Sequence, residues 1–574
     1  MAESILSPGV YARENDLSFR TEVAVEAGAA IIGPTVKGPK EIPTLVTSYS
    51  DYKNRFGDKI LSGSKYYSYF TSLAVENYFN NGGTSMLVTR VVSGSYTEAT
   101  SSIVENLNTS SSFVLETIAE GEMQNSTSTE VSGSLISGSA DNLRWEVTGA
   151  DTGSGTFNLL IRRGNDNSLN DKVILETWTN LSLDPNQNNY IAKVIGDYKY
   201  GVINRNSSET AVALVTGSYP NASRYVRVKS VDTPTVDYFD NNGDAKPALT
   251  TLIPVNASGS FGSATGGLSS NQVKFYNNIL TSDTEVQGIH ADNYVDAIAI
   301  LRNKDQYNFN IIAVPGLTQD NSNFTSTITS VVNLAQDRGD CIFPLDLVVW
   351  GTDSINTVVG KAGGFNTNYA AAYWPWVQIA DNAVGENVWV PASTVIPGVY
   401  AFNDAQTAPW FAPAGINRGG LGSVIRTKFT LSKSQRDTLY SGKVNPIATF
   451  PGQGVTVFGQ KTLQKKPSAL DRVNVRRLLI ELKGFIGSQS RRLVFEQNTT
   501  RTRNQFLSIV NPYLESVQQR QGLYAFKVVM DDSNNTPDVI DRNELVGQIY
   551  LQPTRTAEYI ILDFNVQPTG ASFE

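Results

Sequence analysis

Beyond Asp292 the apolar residues alternate between two periods. DNYVDAIAILRN (292–303) and FTSTITSVVNLAQDRG (324–339) repeat them at helical spacing, whereas FNIIAVPG (309–316) and CIFPLDLVVWG (341–351) are unbroken apolar runs of strand length,. Helix alternating with buried strand predicts a parallel α/β layer. Upstream, AGAAIIGPTVKGPKEIPTLVTS (27–48) alternates apolar runs with Gly-Pro punctuation and predicts strands and turns,. Ser68 to Phe79 reads as a helix closed by Asn80-Asn81-Gly82-Gly83, with a strand over Ser85 to Val92,.

Residues 93–285 break this pattern. In positions 93–140, 19 of 48 residues are Ser or Thr, and short runs such as SFVLETI, TFNLLIRR and RYVRVKSV are separated by Gly, Asn and Asp. That pattern predicts a β-rich insertion, whose polar surface suits an outward-facing position.

The most strongly patterned stretch is ALDRVNVRRLLIELKGFI (469–486). Val475, Leu478, Leu479, Leu482, Phe485 and Ile486 form a buried stripe at i, i+3, i+4, i+7 spacing, with Ser468 placed to cap the helix and Gly487 to end it,. Arg472, Arg476 and Lys483 fall within about 40° of one another on the wheel, with Arg477 further round. A helix committed by one face and basic on another is expected to present a cationic ridge to an acidic surface; the same spacing also fits a solvated face. Downstream, RNQFLSIV precedes a fresh helix start at Asn511-Pro512, followed by strands near LYAFKVVM, LVGQIYLQ and AEYIILDFNV, an α+β arrangement,.

Charge sharpens this picture. The net charge is −8, but residues 461–503 carry eleven Lys/Arg against three acids, a local +8 that leaves −16 elsewhere; residues 91–143 hold seven acids and no Lys or Arg. Such separation of sign points to one surface that meets something acidic and another that repels. Nucleic acid is a competing partner for the basic stretch, opposed by the acidic remainder and by the lack of interleaved aromatics for base stacking. One cysteine (Cys341) and one histidine (His290) exclude a Cys/His zinc site and an intrachain disulfide,. No signal peptide and no apolar run of membrane-spanning length are visible, so no membrane insertion is expected. GQGVTVFG (452–459) has the wrong spacing for a phosphate loop, DDSNNTPDVIDR (531–542) fits a calcium loop poorly, and the Tyr373, Trp374, Trp376 cluster reads as core rather than a sugar platform,.

PWFAPAGINRG (409–419), NPIATFPGQGVTVFGQKTL (445–463) and ALDRVNVRRLLIELK (469–483), with SPGVYARE (7–14), YFNNGGTSMLVTRV (78–91), YAAAYWPWVQI (369–379) and VPASTVIPGVYAFND (390–404), resemble contractile bacteriophage tail sheath proteins. The resemblance implies a multidomain α/β plus β chain. It comprises an N-terminal linking arm (1–22), the first part of the sheath core (23–92), the insertion (93–285), a subtilisin-like α/β domain without a catalytic triad (286–408), a tube-facing α+β domain (409–556) and a C-terminal arm (557–574). A triad needs an oriented histidine beside a nucleophilic serine, and His290 is the sole candidate,.

The resemblance further implies a non-enzymatic subunit without cofactor, catalytic residue or metal. Its partners would be itself in stacked six-fold rings, the tail tube, the baseplate and the terminator or neck proteins, with no direct nucleic acid. The expected place is the virion tail, assembled in the host cytoplasm. Arg472, Arg476, Arg477 and Lys483 are expected to face the tube. Val10, Tyr11, Leu17 and Phe19 at one end, and Tyr559, Ile560, Ile561, Leu562 and Phe564 at the other, are expected to pair with neighbouring subunits. A bacteriocin or secretion-system sheath, a subtilisin-like hydrolase and a nucleic-acid-binding virion protein are the alternatives.

Overall fold

A computed structural model describes residues 25–559 apart from residues 63, 108–109, 127–129, 132–133, 136–138, 167–171, 203–210, 212, 268–273 and 275. At its centre is a mixed sheet assembled from distant parts of the chain. Ala29–Gly33 lies between Met86–Arg90 and Ile312–Ala313, all parallel, and Thr44–Val46 closes that side antiparallel to Met86–Arg90. Phe343–Leu345, Ala370–Trp374 and Val444–Phe450 continue in parallel, and Gly454–Val457 closes the far side antiparallel. A parallel bridge between Ile311 and Ile342 joins the two halves.

The inner strands Ala29–Gly33, Met86–Arg90 and Ala370–Trp374 are buried at every position. That is why Ala29–Gly33 and Ala370–Trp374 read as continuous apolar runs, a parallel strand being covered on both faces, whereas Met86–Arg90 ends in the buried polar pair Thr89 and Arg90,. Helices supply the cover, among them Thr325–Arg338, which ends on left-handed Gly339 as its sequence predicts, and Phe70–Asn80, packed against Ile396–Gln406,. The parallel α/β layer expected from the alternation is present. One core spans Ala27 to Val91 and Ile279 to Leu463, and also takes in Val473 and Ile480.

The insertion has a separate core and is β-rich as expected. Glu98–Val104, Ser111–Glu120 and Val226–Val231 form one sheet; Ile174–Ser182, Thr156–Arg163, Leu143–Asp151 and Ala257–Ser260 form another. The two meet across Phe113 and Phe157, stacked 5.5 Å apart. Within the second sheet Arg162 is wholly buried and forks onto Asp166, with Nε and Nη2 donating over 2.8 and 2.9 Å. The insertion is pinned to the central body by Arg90, whose Nη1 donates to the Gly38 and Glu120 carbonyls, and by the Lys37–Asp141 pair.

A third core gathers Ala408, Trp410, Leu478, Leu482, Phe506, Val510, Leu514 and Val517 between the helices Val473–Ser490 and Thr500–Gln519, with the hairpin Leu523–Val529/Gln548–Pro553 beside them. The α+β expectation holds, with three differences. Ser468 caps only a single 3₁₀ turn, Ala469–Asp471, and the long helix starts at Val473 and runs through Gly487 to Ser490. Nothing at Gly487 requires the left-handed backbone that would make it a terminator, so the chain simply continues,. Likewise Thr500–Gln519 is one helix with Pro512 inside it, capped by Thr499 rather than restarted at Asn511. Finally, the strands Val424–Thr427, Val444–Phe450 and Gly454–Val457 pack with the central body, so the chain beyond 409 returns to that sheet before it enters the third core.

Candidate assembly surfaces

The ridge expected on the long helix is not exposed. Its first six residues, Val473 to Leu478, are all buried, because this end is wedged between two cores: Val473 and Ile480 belong to the central one, Leu478 and Leu482 to the third. The apolar stripe is as expected for Val475, Leu478 and Leu482, with Leu479, Phe485 and Ile486 half-buried and Phe485 stacked on Tyr513 at 3.7 Å. But a wedged helix has no free opposite face, and the arginines turn inward with it.

Each has a different setting. Arg477 is 2% exposed; its Nη2 donates to Asp404 Oδ2 over 2.5 Å and its guanidinium lies 4.7 Å from the Tyr400 ring. Burial alone would lower its pKa, and the Asp404 carboxylate more than offsets this and holds it raised,. Arg476, also 2% exposed, lies 4.4 Å from the Tyr369 ring and donates through Nη1 to Asn368 Oδ1 over 3.4 Å. Its Nε and Nη2 have no partner among the described residues, and burial pushes its pKa down.

Arg472 caps the helix in extended conformation and turns to Glu558, near the C-terminal end of the described chain. Its Nε and Nη2 donate to the two carboxylate oxygens over 2.6 and 3.0 Å, Tyr440 Oη donates over 2.9 Å and Gln460 Nε2 over 3.2 Å. Burial by itself would raise Glu558; the Arg472 hydrogen bonds and charge overcome it and leave the carboxyl below its ordinary value. Of the four expected ridge residues only Lys483 is exposed. The other exposed cations of the stretch are Lys465, Lys466, Arg491, Arg492 and Arg501, while Arg503 is buried against Asp532.

Of the expected arm residues, Tyr559 stands 78% exposed at the end of the described chain; Val10, Tyr11, Leu17, Phe19, Ile560, Ile561, Leu562 and Phe564 lie outside the described residues. The hairpin Leu523–Val529/Gln548–Pro553 is a two-stranded sheet among the described residues, with Tyr524 and Tyr550 exposed on it. Two strands alone leave both edges unpaired, and such edges are templates for added strands.

The candidate chemistry resolves as follows. His290 is exposed at the end of a short hairpin, Glu285–Val286 paired with Ile289–His290, and its Nδ1 donates to the Thr284 carbonyl at 3.1 Å. Tyr373, Trp374 and Trp376 are buried, Trp376 Nε1 donating to the Val348 carbonyl. Not foreseen was Asp346, buried just beyond Phe343–Leu345. It accepts from the Ser393 amide at 3.0 Å and from the Ser393 hydroxyl, and burial, opposed by these bonds, pushes its pKa up to about 7. Among the described residues no group of three or more His, Cys, Asp or Glu could hold a metal ion, and no helix is long and apolar enough to cross a membrane.

The architecture matches a sheath tail protein from Listeria innocua at a TM-score of 0.51 and 11% identity, over 92% of this chain and 96% of that one. The fold is thus that of a sheath subunit. Residues 287–463 match the phage tail sheath protein central domain and residues 465–567 the phage tail sheath C-terminal domain. The tail sheath protein of Vibrio phage KVP40 is 30% identical over 65% of this chain and 56% of that protein, and that of Enterobacteria phage T4 is 33% identical over 51% and 47%. Residues 287–463 and 465–567 thus carry the two domain types of phage tail sheath proteins. The chain spans about half the length of these curated relatives.

Proposed function

We propose that the protein is a structural subunit of a contractile phage tail sheath, polymerising around an inner tail tube and shortening to drive the tube through the host envelope. The observation that carries this is the pairing of the two sheath domain types over residues 287–567 with an open-edged hairpin in the second of them. Strand-forming stretches at both ends, around Ser7 to Phe19 and Glu558 to Val566, are suited to add to such a hairpin on a neighbouring copy,. Each backbone hydrogen bond so gained contributes about 0.5 to 1.5 kcal/mol net, so a strand of about five residues joins neighbours while allowing domains to rotate.

In this reading the central α/β body is a subtilisin-like domain that keeps the fold without the chemistry: its histidine is exposed and donates to a carbonyl rather than orienting toward a serine,. The insertion faces outward. Tube contact falls to Lys483 and the exposed Arg492 and Arg501, since Arg476 and Arg477 are committed inside the subunit. The subunits stack in six-fold rings that end on the baseplate and terminator, and the place of work is the virion tail, after assembly in the host cytoplasm.

The test is removal of residues 1–20. The truncated protein should fold, remain in solution and stay monomeric where the full chain forms cylinders visible by negative-stain microscopy. Cylinders formed equally well without those residues would defeat the linked-strand mechanism.

A further inference from the structure

We infer that the grip of Arg472, Tyr440 and Gln460 on Glu558 is a clamp that sets where the C-terminal segment leaves the subunit and so positions it for a neighbouring copy. The inference rests on the sheath reading for the role of that segment, but the clamp is a property of the subunit itself.

The path of the chain supports it. After the hairpin strand ends at Pro553, Thr554 is still tied to the residues just before the hairpin's first strand, its amide donating to Gly522 O at 3.2 Å and its hydroxyl to Gln521 O at 2.7 Å. By Thr556 the partners have changed: Gln460 Nε2 donates to its hydroxyl oxygen over 2.6 Å. At Glu558 every donor in the cluster comes from elsewhere. Tyr440 belongs to the helix Lys433–Ser441, Gln460 follows the strand Gly454–Val457, and Arg472 caps the long helix. The segment therefore departs from the edge of the central body, not from the hairpin that precedes it.

The geometry fixes direction as well as position. A guanidinium forked onto a carboxylate in two parallel bonds defines a plane, which a point charge such as lysine cannot do. Arg472 is itself held, with Nη1 2.8 Å from Asp471 Oδ1, and Gln460 spans Thr556 and Glu558 with one amide. Were Thr554 the last tie instead of Glu558, the path to a neighbour would lengthen by four residues, about 14 Å when extended. A longer, undirected tether lowers the effective concentration of the strand at its target edge.

Full-length Glu558→Gln and Arg472→Lys test this against the wild type, with tryptic cleavage after Arg555 measured by mass spectrometry on dispersed subunits and polymerisation followed by light scattering. Glu558→Gln should speed that cleavage by about tenfold while the amides of the hairpin Leu523–Pro553 keep their exchange protection. It should slow polymerisation at least as much, with Arg472→Lys intermediate in both. Unchanged cleavage overturns the clamp, as does loss of hairpin protection alongside it, which would mean the cluster only holds the fold together. Faster cleavage with wild-type polymerisation shows that the clamp does not position the segment. A wild-type protein that never polymerises removes the sheath reading instead, and the cleavage measurement on dispersed subunits tells the two failures apart.

Discussion

Arg476 and Arg477 are adjacent, equally buried and oppositely placed for mutation. Arg476 has no carboxylate within reach among the described residues; its assets are the Tyr369 ring and one long hydrogen bond at 3.4 Å. Replacement by Met forfeits that contact, about 0.5 to 2 kcal/mol, and a bond worth about 1 kcal/mol at most. It also removes two buried unpaired N–H donors, each costing about 1 to 3 kcal/mol, and a desolvated cation costing several more. Arg476→Met should thus stabilise the subunit by about 1 to 4 kcal/mol, as apolar replacements of buried charge often do. Arg477→Met does the reverse, because it strands the Asp404 carboxylate. The loss falls at about 3 kcal/mol, the lower end of the range for a broken buried pair, since the Asp404 side chain keeps 26% of its exposure. Calorimetry of dispersed subunits, following the transition of the central body, should show a Tm raised in the first variant and lowered in the second by about 2 to 4 °C per kcal/mol. A fall in Tm for Arg476→Met comparable to that of Arg477→Met would refute the reasoning and imply an acid partner for Arg476 from outside the described residues.

Glu120 gives a pH-dependent test at the insertion junction, where burial, aided by Glu98, raises its pKa to about 7. The folded state keeps this proton up to about pH 7, whereas an unfolded glutamate releases it near about pH 4.3, so stability falls as pH rises between them; Glu120→Gln should flatten that slope in thermal melts, and an unaltered slope counts against it. Deleting residues 94–284 with a short Gly/Ser bridge should leave a folded protein that still polymerises, because most of the insertion's apolar side chains close a separate core around Phe113 and Phe157, only Ala211 and Ile279 joining the central one; a folded but non-polymerising product would show necessary lattice contacts there. His290→Ala should change neither folding nor assembly, and serine labelling by a phosphonate probe that this variant abolishes would reveal a catalytic site.

The parts of the fold legible in the sequence are those where one physical cause acts alone. Ala29–Gly33 and Ala370–Trp374 are apolar throughout because both faces are covered, and Thr325–Arg338 stops at Gly339 because that residue takes the left-handed backbone. Glycine is not a stop by itself: Gly484 and Gly487 lie inside the long helix, where an added methyl group would meet no neighbour. Nor does proline always begin a helix, since Pro512 is carried inside Thr500–Gln519 by a stripe of Phe506, Val510, Leu514 and Val517 packed into the third core. Tertiary burial outweighs the one lost donor there. The return of Val444–Phe450 to the sheet beside Ala370–Trp374 was equally hidden, because pairing across such a sequence distance leaves no local signature.

The misplaced ridge has a more general cause. A helical wheel sorts residues by angle and assigns every charged position away from the apolar stripe to solvent, which holds for a helix with one buried side. Val473–Ser490 has one buried side only beyond its middle; over its first turns it is enclosed, and enclosure turns angle into a poor guide. What distinguishes Arg472, Arg476 and Arg477 from Lys483 is therefore depth along the axis, not position around it. The residues that complete the arginines come from far away: Tyr369 and Asn368 for one, Asp404 and Tyr400 for the next, Glu558 for the third. The local excess of positive charge at 461–503 is thus not a single exposed surface. Part of it joins the central body to the third core and to Glu558; only the remainder, outside the enclosed turns, stands exposed.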